Sequence, residues 1–64
     1  MFTKFRVTID NYDNQAMAEE PDAATASILR ELADKIENRG LENAPEFVRD
    51  YNGNRVGVVE VWED

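Results

Sequence analysis

The chain contains no histidine and no cysteine, which removes thiolate nucleophiles, Cys/His zinc sites, disulfides and the commonest general base together. What remains for acid–base or metal chemistry is a set of carboxylates. Two carboxylates flanking a pocket at about 5 to 10 Å could support hydrolysis of a glycosidic type. Asp10 with Asp13, and Glu19 with Glu20, are close in sequence but sit in a polar stretch, residues 10–22, that reads as solvated charge. The run Asp50-Tyr51-Asn52-Gly53-Asn54 looks like the start of a calcium loop. Its spacing fails, because Gly53 comes two positions too early and Val61 stands where the bidentate glutamate is required. The reading is of a chain that is not an enzyme, with no catalytic residue, no metal and no cofactor.

With 64 residues the chain is a single small domain, residues 1–64, burying only about 60% of the surface its unfolded form exposes. Fourteen acidic against seven basic residues leave a net charge of -7. That balance disfavours direct nucleic-acid binding, which needs clustered Lys and Arg, and disfavours anionic membranes for the same reason. No window is apolar for long enough to span a bilayer, and the first residues lack the apolar core of a signal peptide, so the expected compartment is the cytoplasm. A hydrophobic fraction of 42% that includes Phe, Tyr and Trp argues against disorder despite the charge.

The elements that must position any site follow from periodicity. Thr3, Phe5, Val7 and Ile9 alternate with Phe2, Lys4, Arg6 and Thr8, the pattern of a half-buried strand. Residues 10–22 read as a loop with room for one helical turn near Ala16 to Glu19, and carry five carboxylates (Asp10, Asp13, Glu19, Glu20, Asp22) without a cation. Pro21 in a first turn, with Asp22 behind it, opens a helix whose stripe is Ile28, Leu32 and Ile36, widened by Ala24, Thr25, Leu29 and Ala33. Gly40 ends it in a left-handed cap, with Ile36 and Leu41 in the contact positions of a Schellman motif. Asn52-Gly53 between two apolar runs predicts a type I′ hairpin. Pairing Tyr51 with Asn54 sets Val48 opposite Gly57. The fold class is α+β: β-α-β-β, a three-stranded antiparallel sheet in the order 1-3-2, with one helix packed on one face.

That register leaves an unusual face. Phe2, Phe47, Tyr51, Val56, Val58 and Trp62 fall on the side away from the helix, with Lys4, Arg6 and Arg49 between them. A solvated face is normally polar, and aromatics with Arg are the composition of interface hot spots. The candidate partner-binding residues are therefore Phe47, Arg49, Tyr51, Val58 and Trp62, unless residues 10–17, through Tyr12 and Met17, fold over part of the face as a lid or the register is off by one. The second candidate surface is Asp10, Asp13, Glu19, Glu20 and Asp22, which could imitate a phosphate backbone toward another protein with a basic surface or could serve solubility alone.

Ile28-Leu29-Arg30-Glu31-Leu32-Ala33-Asp34-Lys35-Ile36-Glu37, with Gly40 after it, and Asp50-Tyr51-Asn52-Gly53-Asn54-Arg55-Val56-Gly57 resemble the body of small phage and mobile-element proteins built from a strand, an ILRxLAxxIE helix and a DxNGNxVG hairpin. The resemblance runs from Lys4 to Val61 and brings no site residue with it. In size and charge alone the chain is similar to anti-CRISPR and anti-restriction inhibitors. The resemblance implies a non-enzymatic phage-type inhibitor of a host defence or nucleic-acid-handling protein. The alternative is a homo-oligomeric structural or accessory protein, a homodimer for example, paired through the outer sheet face.

Overall fold

In the computed structural model, which describes residues 1–64, β1 (Phe2–Ile9) is followed by a short helix α1 (Gln15–Glu19), the long helix α2 (Pro21–Arg39), a 3-10 turn (Leu41–Asn43), β2 (Phe47–Arg49) and β3 (Arg55–Glu63). The sheet is antiparallel in the order β1-β3-β2. The longest and most apolar strand is central, as expected. α2 packs on one face of the sheet, and Ile28 and Leu32 of its stripe are buried there with Val48, Val56 and Val59. Burying a side chain of this size stabilises by about 1.5 to 3 kcal/mol, so these five residues carry much of the fold. The stripe is narrower than its periodicity implies: Ala33 is exposed and Leu29 is 45% exposed, because a three-stranded sheet is too small to cover the helix flank.

Residues 10–22 do more than loop. Asn14 caps α1, its Oδ1 accepting the Met17 N–H at 3.0 Å, and Ala16 and Met17 enter the core, Met17 with no exposed surface. Tyr12 hydrogen-bonds Thr25 of α2, with 2.6 Å between the hydroxyl oxygens. The segment therefore packs on the helix side, and the lid over the opposite sheet face is not formed.

Two local geometries depart from expectation. Gly40 has positive φ, but at φ 88° and ψ 156° it is not a left-handed Schellman cap. The Gly40 N–H still closes the helix on the Ile36 carbonyl at 2.8 Å, and the Asn43 side chain takes up the Arg39 carbonyl at 2.9 Å. Asn43 thus satisfies one of the helix's last free carbonyls, and the chain turns into the 3-10 segment. The hairpin also differs from a type I′ turn. Only Gly53 has positive φ (83°), Asn52 does not, and Asp50 and Asn54 close a three-residue loop by an Asp50 N–H to Asn54 carbonyl bond of 2.9 Å. The cause is the Asp50 side chain: its Oδ1 accepts the N–H groups of Asn52 and Asn54, each at 2.9 Å, and holds the chain in an Asx turn.

The wider loop displaces the register by one residue. Val48 faces Gly57 as expected, but Arg49 faces Arg55, leaving Val56 as an extra residue on β3. This bulge turns Val56 from the outer face, where simple alternation puts it, into the core, where it is 1% exposed.

Candidate contact surface on the outer sheet face

The outer face is built by strand alternation from β1, β2 and the straight part of β3. Lys4 pairs with Trp62, Arg6 with Glu60, Thr8 with Val58, and Phe47 with Val58 from the other side. Trp62 is 37% exposed, and two cations lie over its ring: Lys4 Nζ at 4.7 Å and the Arg6 guanidinium at 5.4 Å from the centroid. Arg6 also pairs with Glu60 Oε1 at 3.0 Å, which fixes the guanidinium beside the indole. The guanidinium of Arg55 stacks on Phe47 at 3.6 Å. Arg55 comes to this face because of the bulge, and sequence alternation alone did not place it there.

Of the five residues expected on this face, Phe47, Val58 and Trp62 are brought together. Tyr51 and Arg49 are not. Tyr51 stands in the hairpin loop, 75% exposed, and lines a groove against α2 near Ser27, Ile28 and Glu31. Arg49 folds back on the same loop, its Nη1 donating to the Gly53 carbonyl at 3.3 Å. The apolar stripe is thus shorter than expected and is dressed by three cations, Lys4, Arg6 and Arg55.

The carboxylates lie elsewhere. Residues 10–46 hold ten of the fourteen acidic residues and three of the seven basic ones. Asp10, Asp13, Glu19, Glu20 and Asp22 are all exposed, and none takes part in an ion pair. Asp10 lies at the far end of β1 from Lys4 and Trp62, about 20 Å along the strand, and Asp13, Glu19, Glu20 and Asp22 belong to the segment that packs on and opens α2. The two candidate surfaces are therefore separate. No three carboxylates converge in a way that could hold a metal ion. In the widest groove, between α2 and β2, Glu31 pairs with Lys35 at 3.5 Å and Asp50 is committed to its own loop.

Asp50 is the buried acid that composition did not single out. Burial pushes its pKa up, but the hydrogen bonds from the Asn54 backbone and side chain and from the Asn52 backbone outweigh this and hold the carboxyl below the ordinary aspartate value. Its task is structural, holding the hairpin loop in its turn. The sequence signal was the Asp-x-Asn-x-Asn spacing, whose side chains favour Asx turns. No helix is long and apolar enough to cross a membrane. No family model, no curated protein and no solved structure matches the chain.

Proposed function

We propose that this chain is a non-enzymatic binding protein of phage type, acting in the host cytoplasm as an inhibitor of a host defence or nucleic-acid-handling protein, and that the outer sheet face makes the contact. The observation that carries this reading is Trp62, exposed on a face that no other part of the chain covers and held in place by Lys4 and Arg6. A rigid aromatic with arginines around it is the composition of a binding hot spot. Its cations fit a partner that presents apolar groups and carboxylates at the contact. Two copies of this chain fit poorly face to face, since Lys4, Arg6 and Arg55 of one would meet the same cations of the other.

A second reading has its own support. The five unpaired carboxylates of residues 10–22 would meet a basic host surface, such as a nucleic-acid groove, away from Trp62. The two readings separate by mutation. Partner capture from a bacterial lysate, repeated with Trp62→Ala and with a chain carrying Asp10→Asn, Asp13→Asn, Glu19→Gln, Glu20→Gln and Asp22→Asn, loses the partner in the first case under the main reading. It loses the partner in the second case if the carboxylates dock.

A further inference from the structure

We propose that β1 is a self-recognition edge: two copies of this chain pair through β1, antiparallel, about a two-fold axis at Val7, to form a continuous six-stranded sheet. The interface is a strand edge and is distinct from the outer face assigned to the host contact.

Backbone direction leaves this edge open. The Val59 N–H donates to the Glu46 carbonyl at 2.9 Å, so the odd-numbered residues of β3 aim their backbone groups toward β2. Their β1 partners, Phe5 opposite Val61, Val7 opposite Val59 and Ile9 opposite Gly57, then aim theirs away from β3. Asp10 obeys the same parity from the other side, its N–H donating to the Val56 carbonyl. The amides and carbonyls of Phe5, Val7 and Ile9 therefore form an open row on the outermost strand of the sheet.

Nothing in the chain blunts that row. β1 is eight residues long, has no proline, and its one irregularity lies between Phe2 and Lys4. Lys4 and Arg6, which could discourage pairing, are turned onto Trp62 and Glu60 on the sheet face. A long unprotected edge is a template for another strand. Phe5, on the helix side of the sheet, is 42% exposed because α2 does not reach it, so apolar surface flanks the open backbone.

Charge selects the occupant and the register. Backbone parity allows odd residues to pair only with odd ones. A two-fold at Phe5 sets Lys4 against Arg6 of the partner subunit, and one at Arg6 sets the two Arg6 side chains together; like charges directly opposite destabilise a sheet. A two-fold at Val7 sets Lys4 against Asp10 of the partner subunit on one face, twice by symmetry. On the other face it sets Phe5 against Ile9 of the partner subunit. A two-fold at Thr8 sets Arg6 against Asp10 of the partner subunit, but Arg6 is already paired with Glu60 in its own chain, and this register shortens the overlap, running Lys4 past Asn11, where φ is 60° and the strand has ended.

The chain has no cysteine, so single-cysteine variants report the register directly. Opposed residues in a hydrogen-bonded antiparallel pair have Cα atoms about 5.5 Å apart, within disulfide reach, whereas positions offset by two or more residues lie beyond about 7 Å. Val7→Cys should give a disulfide-linked dimer on mild oxidation, and Phe5→Cys should not. In sedimentation equilibrium, Lys4→Glu or Asp10→Lys alone should weaken the dimer by roughly tenfold, and the double exchange should restore it. Both positions are exposed, so circular dichroism should show each monomer folded. A chain that stays monomeric at the highest concentration reached, a dimer unaffected by either charge reversal, or trapping through Trp62→Cys in place of Val7→Cys would each overturn the proposal.

Discussion

Gly57 lies directly opposite Val48 on one side and Ile9 on the other, at the bulge where the β3 register shifts. A Cβ at this position would run into the Thr8 carbonyl oxygen and come within 2.8 Å of Val48 Cγ2 and 3.2 Å of the Ile9 Cα. The obstacle on one side is backbone, so it cannot move aside as a side chain could. Gly57→Ala is expected to cost roughly 3 kcal/mol, at the upper end of overpacking effects, and to lower the melting temperature by more than about 10 °C. Calorimetry or a thermal melt followed by circular dichroism checks it.

Gly40→Ala acts by a different route. Nothing lies within 4 Å of a Cβ placed there, but φ 88° with ψ 156° is a region that only glycine occupies freely. The expected cost is about 1 to 3 kcal/mol of backbone strain, with no loss of core packing. A melt with reduced midpoint and unchanged near-ultraviolet spectrum is the predicted result; an unchanged midpoint would place the end of α2 elsewhere.

Met17→Ala should cost about 2 to 5 kcal/mol, the range for truncating a fully buried side chain. Met1→Ala, at an exposed position, should cost less than about 0.5 kcal/mol. Denaturant titration of the two variants measures the difference. Near equality would mean that α1 does not seal the core.

Strand β1, helix α2, the sheet order and the Val48–Gly57 pairing were legible in the sequence because each rests on periodicity or on a residue with one strong conformational preference. So was a helical turn near Ala16 to Glu19, the site of α1. Three features were not. The burial of Met17 and the Asn14 cap of α1 were hidden, because five residues are too few for periodicity to show which face is apolar. The bulge at Val56 arises from the Asp50 hydrogen bonds, which change the loop from two residues to three, and alternation cannot anticipate an inserted residue. The candidate site inherits that error: Tyr51 leaves the outer face, Val56 goes to the core, and Arg55 arrives over Phe47. Trp62 was placed correctly because it lies on the regular part of β3, beyond the bulge.

Asp50 gives the fold a defined response to acid. Its folded pKa lies below the unfolded value near 3.8, so the deprotonated group favours the folded state. That stability is fully present above the unfolded value and is lost as pH falls through the folded one. Between neutral pH and about pH 5, the difference in melting temperature between the native chain and Asp50→Asn should stay constant; below about pH 4 it should shrink. An NMR titration of the Asp50 carboxyl that returns an ordinary aspartate value would contradict the Asx-turn account.

Trp62 as the point of contact is tested most directly by calorimetric titration of a captured host partner with the native chain, with Trp62→Ala and with the chain neutralised at Asp10, Asp13, Glu19, Glu20 and Asp22. Loss of an interface hot spot costs on the order of 2 kcal/mol or more, so Trp62→Ala should weaken binding by roughly thirtyfold or more while circular dichroism shows the helix intact. The neutralised chain should bind within about threefold of the native one and with little change in salt dependence. The opposite pattern, with affinity indifferent to Trp62 and lost with the five carboxylates, would contradict the assignment and move the contact to the helix side of the molecule.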